Sequence, residues 1–179
     1  SIGANPYIAC VTSSVQFTAA ISGGQSPYNV NWSYGDAGTD TGNPTNHVYT
    51  SAGSYTVAVV VTDAIGEFET HTLPITVNEN PTVSITSNPN PANGCAPLNI
   101  CFTANILNGQ APYTGMWNFD NSFTSNNLIN ACTNYSVGNY SPYVNVIDAN
   151  GCMATATTSV AALANDNASF NYSSNAFCI

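Results

Sequence analysis

The chain has 179 residues, carries nine acidic side chains and contains no lysine or arginine, so its formal net charge is −9. Because phosphates and anionic lipids are bound chiefly by lysine and arginine, this composition argues against nucleic-acid binding, attachment to an anionic membrane and phosphoryl transfer. Hydrophobic residues make up 44% of the chain, which is enough for a packed core, and no apolar run is long enough to span a bilayer.

Along the chain, the first clear element is a strand pattern in residues 28–34, where tyrosine, valine and tryptophan alternate with polar residues. Residues 55–61 form a second row with the same period. Turn residues separate these runs, and no segment shows the 3.6-residue period of a helix. We therefore expect short strands, with Trp32 filling the space between two sheets and Tyr55, two residues after Gly53, forming a tyrosine corner.

The same order of elements returns 85 positions later, where Cys95 takes the place of Cys10. Residues 10–32 align with residues 95–117 without a gap, and the second copy repeats both the central tryptophan (Trp117) and the corner tyrosine (Tyr140). The repeat predicts an all-β chain of two tandem β-sandwiches with a strand-like C-terminal extension. The predicted boundaries are residues 1–79 for the first sandwich, 80–162 for the second, and 163–179 for the start of a third unit or a linking strand.

The two ends of the sequence bear on this organisation. Ser1 is not a methionine, and no basic and apolar leader precedes it. The last residues read as the opening of another repeat that stops just after Cys178. We therefore expect the sequence to be a piece of a longer, exported protein.

The first repeat resembles a known family. Its segments SPYNVNWSYGDAG and HVYTSAGSYTVAVVVTDAIG resemble the PKD family of immunoglobulin-like domains, whose pattern runs W-x-F/Y-G-D-G, then H-x-Y-x-x-x-G-x-Y-x-V, then V-x-D. The resemblance implies an immunoglobulin-like sandwich in which the motif residues have structural roles. These residues are Trp32, Tyr34, Gly35, Asp36, His47, Tyr49, Gly53, Tyr55, Val57 and Asp63.

The second repeat departs from the PKD pattern at three places. Asp120 and Asn121 stand where the first repeat has a Gly-Asp pair, Cys132 replaces the motif histidine, and Pro142 interrupts the valine row. We therefore expect a divergent PKD-like sandwich with the same fold and different loops.

Three phrases in the second repeat and at the end of the chain resemble a narrower group. NPANGCAPLNICFTA, VIDANGCMATATTSV and NASFNYSSNAFC resemble repeats in giant surface adhesins of Bacteroidota-type bacteria. This resemblance implies secretion by the type IX route, a location at the cell surface, and a role in adhesion or gliding.

Few side chains suit catalysis. The two histidines are His47, which falls in the PKD motif and is expected to be packed and hydrogen-bonded, and His71, which falls in a strand pattern and is expected to face solvent or to be paired. The acids are spread over both repeats, and no Cys-x-x-Cys pair indicates a zinc site. We therefore predict a protein that is not an enzyme and that needs no cofactor.

Calcium is the one ion for which the chain offers ligands, because its carboxylates face no basic competitor. Asp36, Asp63, Asp120 and Asp148 lie in predicted turns near asparagines and are the candidate calcium ligands. No D-x-D-x-D-G loop occurs, and capping of turns is the alternative role for these aspartates.

Six cysteines in an acidic, β-rich chain favour an oxidising compartment, here the cell exterior. Four cysteines lie in the second repeat and allow three connectivities, among which we favour Cys101–Cys132 across neighbouring strands and Cys95–Cys152 between the first and last strands. Cys10 and Cys178 have no partner in their own repeats. We predict that they are unpaired, or that they bond outside this chain or between successive copies.

The favoured function is a non-catalytic structural and adhesive repeat segment of a large extracellular surface fibre or adhesin. Its partners would be neighbouring repeats or copies of itself, together with an unidentified polysaccharide or protein ligand. One alternative is the subunit of a pilus-like filament joined by strand exchange. Another is a substrate-binding accessory module of a secreted hydrolase, with Tyr7, Phe68, Tyr143 or Phe177 as an aromatic platform.

Overall fold

The structure is a computed structural model that describes residues 1–165. These residues form strands and turns, and none of them lies in a helix, so the described part of the chain holds no helix that could span a membrane. The chain divides into two compact units, Ser1–Asn80 and a second one that begins at Pro81, one residue from the boundary that the repeat predicted. Most of the predicted extension 163–179 lies outside the described residues.

The first unit is built from eight strands in two sheets. The small sheet has the order β1-β3-β6 and the large sheet has the order β2-β8-β7-β4-β5. All pairs are antiparallel except β2 and β8, which run parallel. The strands are β1 Ile2–Asn5, β2 Ile8–Cys10, β3 Ser14–Ala19, β4 Asn29–Ser33, β5 Thr39–Thr41, β6 Thr45–Val48, β7 Gly53–Thr62 and β8 Phe68–Asn78.

Within residues 81–165, the second unit repeats this arrangement with ten strands in three sheets. Their orders are β14-β11-β9, β13-β12-β16-β17 and β10-β18-β15, and only β10 and β18 run parallel. The strands are β9 Thr82–Asn88, β10 Asn93–Cys95, β11 Leu98–Leu107, β12 Thr114–Asn118, β13 Thr124–Ser125, β14 Ala131–Tyr135, β15 Gly138–Tyr140, β16 Tyr143–Ile147, β17 Met153–Thr157 and β18 Val160–Leu163.

The extra sheet of the second unit has a local cause. The long strand β7 of the first unit corresponds to two shorter strands, β15 and β16, which are separated by Ser141 and Pro142. Proline has no N–H group for a ladder and disfavours the interior of a sheet. The Pro142 carbonyl instead accepts a hydrogen bond from the Thr158 N–H at 2.9 Å, between β17 and β18. The predicted interruption of the valine row therefore appears as a split sheet.

Each unit has its own apolar core between its sheets. Trp32 is 2% exposed and Trp117 is fully buried, and each packs against a phenylalanine of the facing sheet, Phe17 or Phe102, with ring centroids 5.8 Å and 5.5 Å apart. Alternate residues of the paired strands complete both cores. Buried tryptophan contributes about 3–5 kcal/mol relative to alanine. The predicted all-β architecture of two tandem sandwiches is confirmed.

The tyrosines near the strand ends behave in two ways. Tyr55 and Tyr140 form the predicted corners, since their hydroxyls donate to the carbonyls of Ser51 (2.8 Å) and Ser136 (3.1 Å). Tyr28, the first residue of the predicted strand pattern 28–34, lies just before β4 and is 37% exposed.

Candidate functional site

The PKD motif residues of the first unit meet around His47 on β6. The His47 ring stacks on Tyr34 with ring centroids 4.0 Å apart and an interplanar angle of 8°, and it meets the edge of Tyr49 at 4.6 Å. Its Nε2 atom lies 2.7 Å from Oδ2 of Asp36. A Cβ atom at Gly38 would lie 2.7 Å from His47 Cε1, so the turn after β4 needs glycine there to close over the ring.

The electrostatics of this cluster favour a charged Asp36. Desolvation by burial raises the pKa of Asp36, but the hydrogen bonds from His47 and the Gly38 N–H outweigh it and hold the pKa below its ordinary value. Burial raises the pKa of Tyr34, whose hydroxyl lies 3.1 Å from Oγ1 of Thr45. Every polar group named here is engaged by its neighbours, so the cluster clips the turn to the sheets and offers no nucleophile to a substrate.

Asp63 and Asp148 hold matching loops at the end of each unit. Asp63 accepts backbone hydrogen bonds from Gln25, Ile65 and Glu67, each at 3.0 Å. These bonds, that of Gln25 first, lower the pKa of Asp63. Asp148 is 5% exposed and accepts three equivalent bonds at 2.8–2.9 Å, from the N–H groups of Gln110, Asn150 and Cys152.

The turn after β12 shows how the second unit departs from the motif. Asp120, at φ +59°, replaces Gly35 and accepts the Ser141 N–H at 2.8 Å. Asn121 replaces Asp36 and donates to Oγ1 of Thr133 at 3.0 Å. The histidine–aspartate pair of the first unit therefore has no counterpart in the second.

The predicted calcium site is not assembled from the four candidate aspartates. Asp36 and Asp63 lie in the first unit and Asp120 and Asp148 in the second, and each spends carboxylate oxygens on hydrogen bonds with its own unit. Among residues 1–165, no three histidine, cysteine, aspartate or glutamate side chains converge as metal ligands. Turn stabilisation accounts for the positions of all four.

The structure contains one of the two predicted disulfides and corrects the prediction for Cys10. Cys101 on β11 and Cys132 on β14 are directly opposite in the ladder and form a disulfide, with Cα atoms 3.9 Å apart. Cys10, predicted to be unpaired or bonded outside the chain, is disulfide-bonded, as are Cys95 and Cys152. The Cys95–Cys152 pair stays a prediction, and Cys178 lies outside the described residues.

The aromatic platform proposed for an accessory module is not formed by Tyr7 and Phe68. Both side chains are exposed, at 56% and 71%. The residue after Tyr7, Ile8, pairs with Thr76, which is eight residues along β8 from Phe68. At about 3.3 Å per residue, this separation is about 26 Å, too far for one sugar ring to touch both. Tyr143 is half-buried, and Phe177 lies outside the described residues.

A groove in the second unit was not predicted from the sequence. It has a volume of about 1040 Å³ and lies beside β12, between the outer face of the β12-β16-β17 sheet and the loop 126–129. Four exposed apolar side chains line it: Met116, Ile129, Ile147 and Met153. Met116 and Met153 are the only methionines of the chain, and their exposed positions correspond to Asn31 and Phe68 in the first unit. The apolar Met116 in place of the polar Asn31 is the sequence signal for the groove.

Comparisons with known proteins agree with this geometry. Residues 2–77 match the family model of the PKD domain. This confirms the predicted resemblance for the PKD-like first unit. No curated protein matches the chain.

Solved structures resemble both units together. Fibronectin(III)-like modules of CbhA from Clostridium thermocellum are 15% identical, with a TM-score of 0.44, over 97% of this chain and 100% of theirs. A C-terminal 282-residue fragment of intimin, solved with the intimin-binding domain of its translocated receptor, is 14% identical, with a TM-score of 0.52, over 90% of this chain and 63% of its own. A Ca²⁺-stabilised adhesin of an Antarctic bacterium is 16% identical, with a TM-score of 0.44, over 88% of this chain and 46% of its own. At these identities the likeness shows an immunoglobulin-like β-sandwich fold alone.

Proposed function

We propose that the chain is a structural and adhesive repeat segment of a large extracellular surface fibre or adhesin, exported by a Bacteroidota-type bacterium through the type IX route. The observation that carries this proposal is the use of the motif residues. In two successive repeats, the polar side chains at the motif positions bind their own turns and strands, which is the use expected of structural modules.

Two further features support a location outside the cell. All five cysteines within residues 1–165 are disulfide-bonded. Disulfides persist chiefly in oxidising compartments. A surface without lysine or arginine also offers trypsin-like proteases no cleavage site.

The size of the native protein tests the proposal. An antibody raised against this chain should label intact source cells, and the label should be lost after brief treatment with proteinase K. On reducing, denaturing gels of cell extract, the antibody should detect a band far above the 18.6 kDa of this chain.

A band near 18.6 kDa would instead favour the subunit of a pilus-like filament joined by strand exchange. If the detected polypeptide also contains a hydrolase domain, encoded in the same open reading frame, the accessory module is favoured. Labelling that appears only after the cells are permeabilised would contradict an extracellular role.

A further inference from the structure

Half of strand β12 has an open edge. Along its full length, Thr114–Asn118, β12 pairs with β16, but on its other side β13 pairs only with Trp117 and Asn118. In an antiparallel ladder, the N–H and C=O groups of alternate residues point to the same side. The Phe119 N–H donates to the Phe123 carbonyl on the β13 side at 3.1 Å, so the backbone groups of Trp117 and Gly115, at alternate positions, point to that side too. No hydrogen bond to either group of Gly115 occurs among the described residues.

The first unit closes the corresponding edge. There, β5 pairs with β4 over Asn31–Ser33, and the Gly42 N–H extends the contact by donating to the Val30 carbonyl at 3.1 Å. In the second unit, Asn127 occupies the position of Gly42, but its N–H donates to Oγ of Ser125 at 3.1 Å. The edge at Gly115, which corresponds to Val30, is therefore left without this cover.

The indole of Trp117 gives independent evidence for the same displacement of the loop. In the first unit, Trp32 Nε1 donates to the Gly42 carbonyl at 2.9 Å. In the second unit, Trp117 is fully buried and its Nε1 has no hydrogen-bond partner. The loop leaves β12 early because the Leu128 carbonyl accepts the Ala104 N–H of the facing sheet at 2.9 Å. The Leu128 side chain also occupies the space of a Cβ at Gly115, 2.8 Å from that position.

The open edge lies in the apolar groove. Met116, Ile129, Ile147 and Met153 are 45%, 66%, 38% and 66% exposed. The groove, at about 1040 Å³, has twice the volume of the matching one in the first unit, which is about 510 Å³. None of its lining residues is charged, whereas the matching groove of the first unit includes Asp63.

We propose that this groove binds an extended, uncharged peptide segment of another protein, which adds as a strand beside β12. The backbone groups of Gly115 would pair with the peptide main chain, and Met116 and Ile129 would cover its apolar side chains. A charged peptide side chain would lose water without finding a partner, which disfavours it. A second copy of this chain is disfavoured as the donor because both copies carry −9 and no cation.

This ligand site goes beyond the proposed role as a fibre segment, and neither depends on the other. A short capped peptide of alternating threonine and valine is a suitable probe, titrated into the isotope-labelled full chain and followed by NMR. We expect saturable shifts at the Gly115 amide and at the Met116 methyl. The matched edge of the first unit, at Val30 and Asn31, should not shift.

Two control peptides separate main-chain pairing from simple apolar contact. N-methylation of the probe's alternate amides on its β12-facing edge should weaken binding by at least about tenfold, since that peptide keeps its side chains but loses its donors. Replacement of every valine by aspartate should abolish the shifts. Equal binding of the N-methylated peptide, or shifts centred away from β12, would overturn the proposal.

Protein variants complete the test. Met116→Asp and Ile129→Asp should each weaken binding by about tenfold or more. Val137→Asp is the matched control, because Val137 is also exposed (60%) and in the second unit but does not line the groove. If Met116→Asp does not fold, Ile129→Asp, in a loop, still decides the question. If the chain instead dimerises in sedimentation experiments, and Ile129→Asp abolishes the dimer while no peptide binds, the occupant is a second copy and the proposal is wrong.

Discussion

Asp63 and Asp148 lie at the same position of the two repeats and receive three backbone N–H groups each. A carboxylate in this arrangement joins two loops that are far apart in sequence, through charge-assisted hydrogen bonds from their backbone N–H groups. In this chain, which has no lysine or arginine, these two aspartates join separate loops through backbone hydrogen bonds instead of salt bridges. The sequence identified Asp63 and Asp148 as candidate functional residues, and the structure shows that their partners are backbone N–H groups.

Asp148→Ala should destabilise the second unit by about 2–4 kcal/mol, because three amides in a buried loop lose their acceptor. Asp63→Ala should cost less, since Asp63 is only half-buried and water can replace it. Urea unfolding gives both free energies. Glu69→Ala, at a side chain that is 75% exposed, is the control and should change the free energy of unfolding by less than about 0.5 kcal/mol. Equal effects of all three substitutions would contradict this role.

The lowered pKa of Asp36 predicts an acid-dependent stability. In the unfolded chain the carboxyl has its ordinary pKa of 3.8, and in the folded chain the value is lower. The ionised carboxylate of Asp36 therefore contributes its full share of the folding free energy at pH values above 3.8. This contribution is lost as the pH falls towards the folded-state pKa.

Asp36→Asn should accordingly destabilise the first unit at about pH 6, and the difference from the parent should shrink towards about pH 2. Urea unfolding across this range measures it. A difference that stays constant with pH would show that the carboxylate charge does not contribute.

At the scale of elements, strands β3 and β6 of the first unit and β11 and β14 of the second occupy the same place but are joined differently. The first pair carries His47, which reaches Asp36 in the turn after β4, whereas the second carries the Cys101–Cys132 disulfide directly across the ladder. A covalent bond thus stands where the first unit uses a packed ring and a hydrogen bond.

Replacement of both Cys101 and Cys132 by serine should lower the stability of the second unit by about 2–4 kcal/mol, the usual range for a disulfide that closes a loop of this size. Hydrogen exchange followed by mass spectrometry should show faster exchange in β11 and β14. Exchange in β3 and β6 serves as the internal control and should not change. If protection of β11 and β14 is unaltered, the bond contributes nothing to the folded state.

For the molecule as a whole, alternation and the 85-residue offset were enough to predict two all-β sandwiches and the buried tryptophans. These patterns could not predict the groove. An ungapped alignment places Asn127 on Gly42, and only the backbone geometry shows that the loop 126–129 does not follow the edge of β12. They also misjudged Cys10, which is disulfide-bonded, since a repeat pattern does not show whether a given thiol is oxidised. Side-chain patterns record which face of a strand is buried, whereas the acceptor of a particular N–H depends on the path of the loop.

The absence of basic residues predicts an unusual response to salt. Nine negative charges repel one another without compensation by lysine or arginine, and this favours the expanded chain. Sodium chloride between about 0.01 M and about 0.5 M should therefore raise the unfolding temperature at neutral pH, because it shortens the screening length. At about pH 3, where most carboxyls take up protons, the effect should become much smaller. A fall in the unfolding temperature with salt at neutral pH would contradict this account.

The parallel pairs β2–β8 and β10–β18 determine how each unit responds to traction. In both, the pairing covers three residues and continues with one more backbone bond, from Val11 to Asn78 and from Ala96 to Leu163. A pull that draws the start of β2 away from the end of β8 slides the two strands along each other, so that all their hydrogen bonds are strained together rather than opened one after another. Each sandwich is thus arranged to resist shear along its length, while a peeling force applied at the β7–β8 turn would meet one bond at a time.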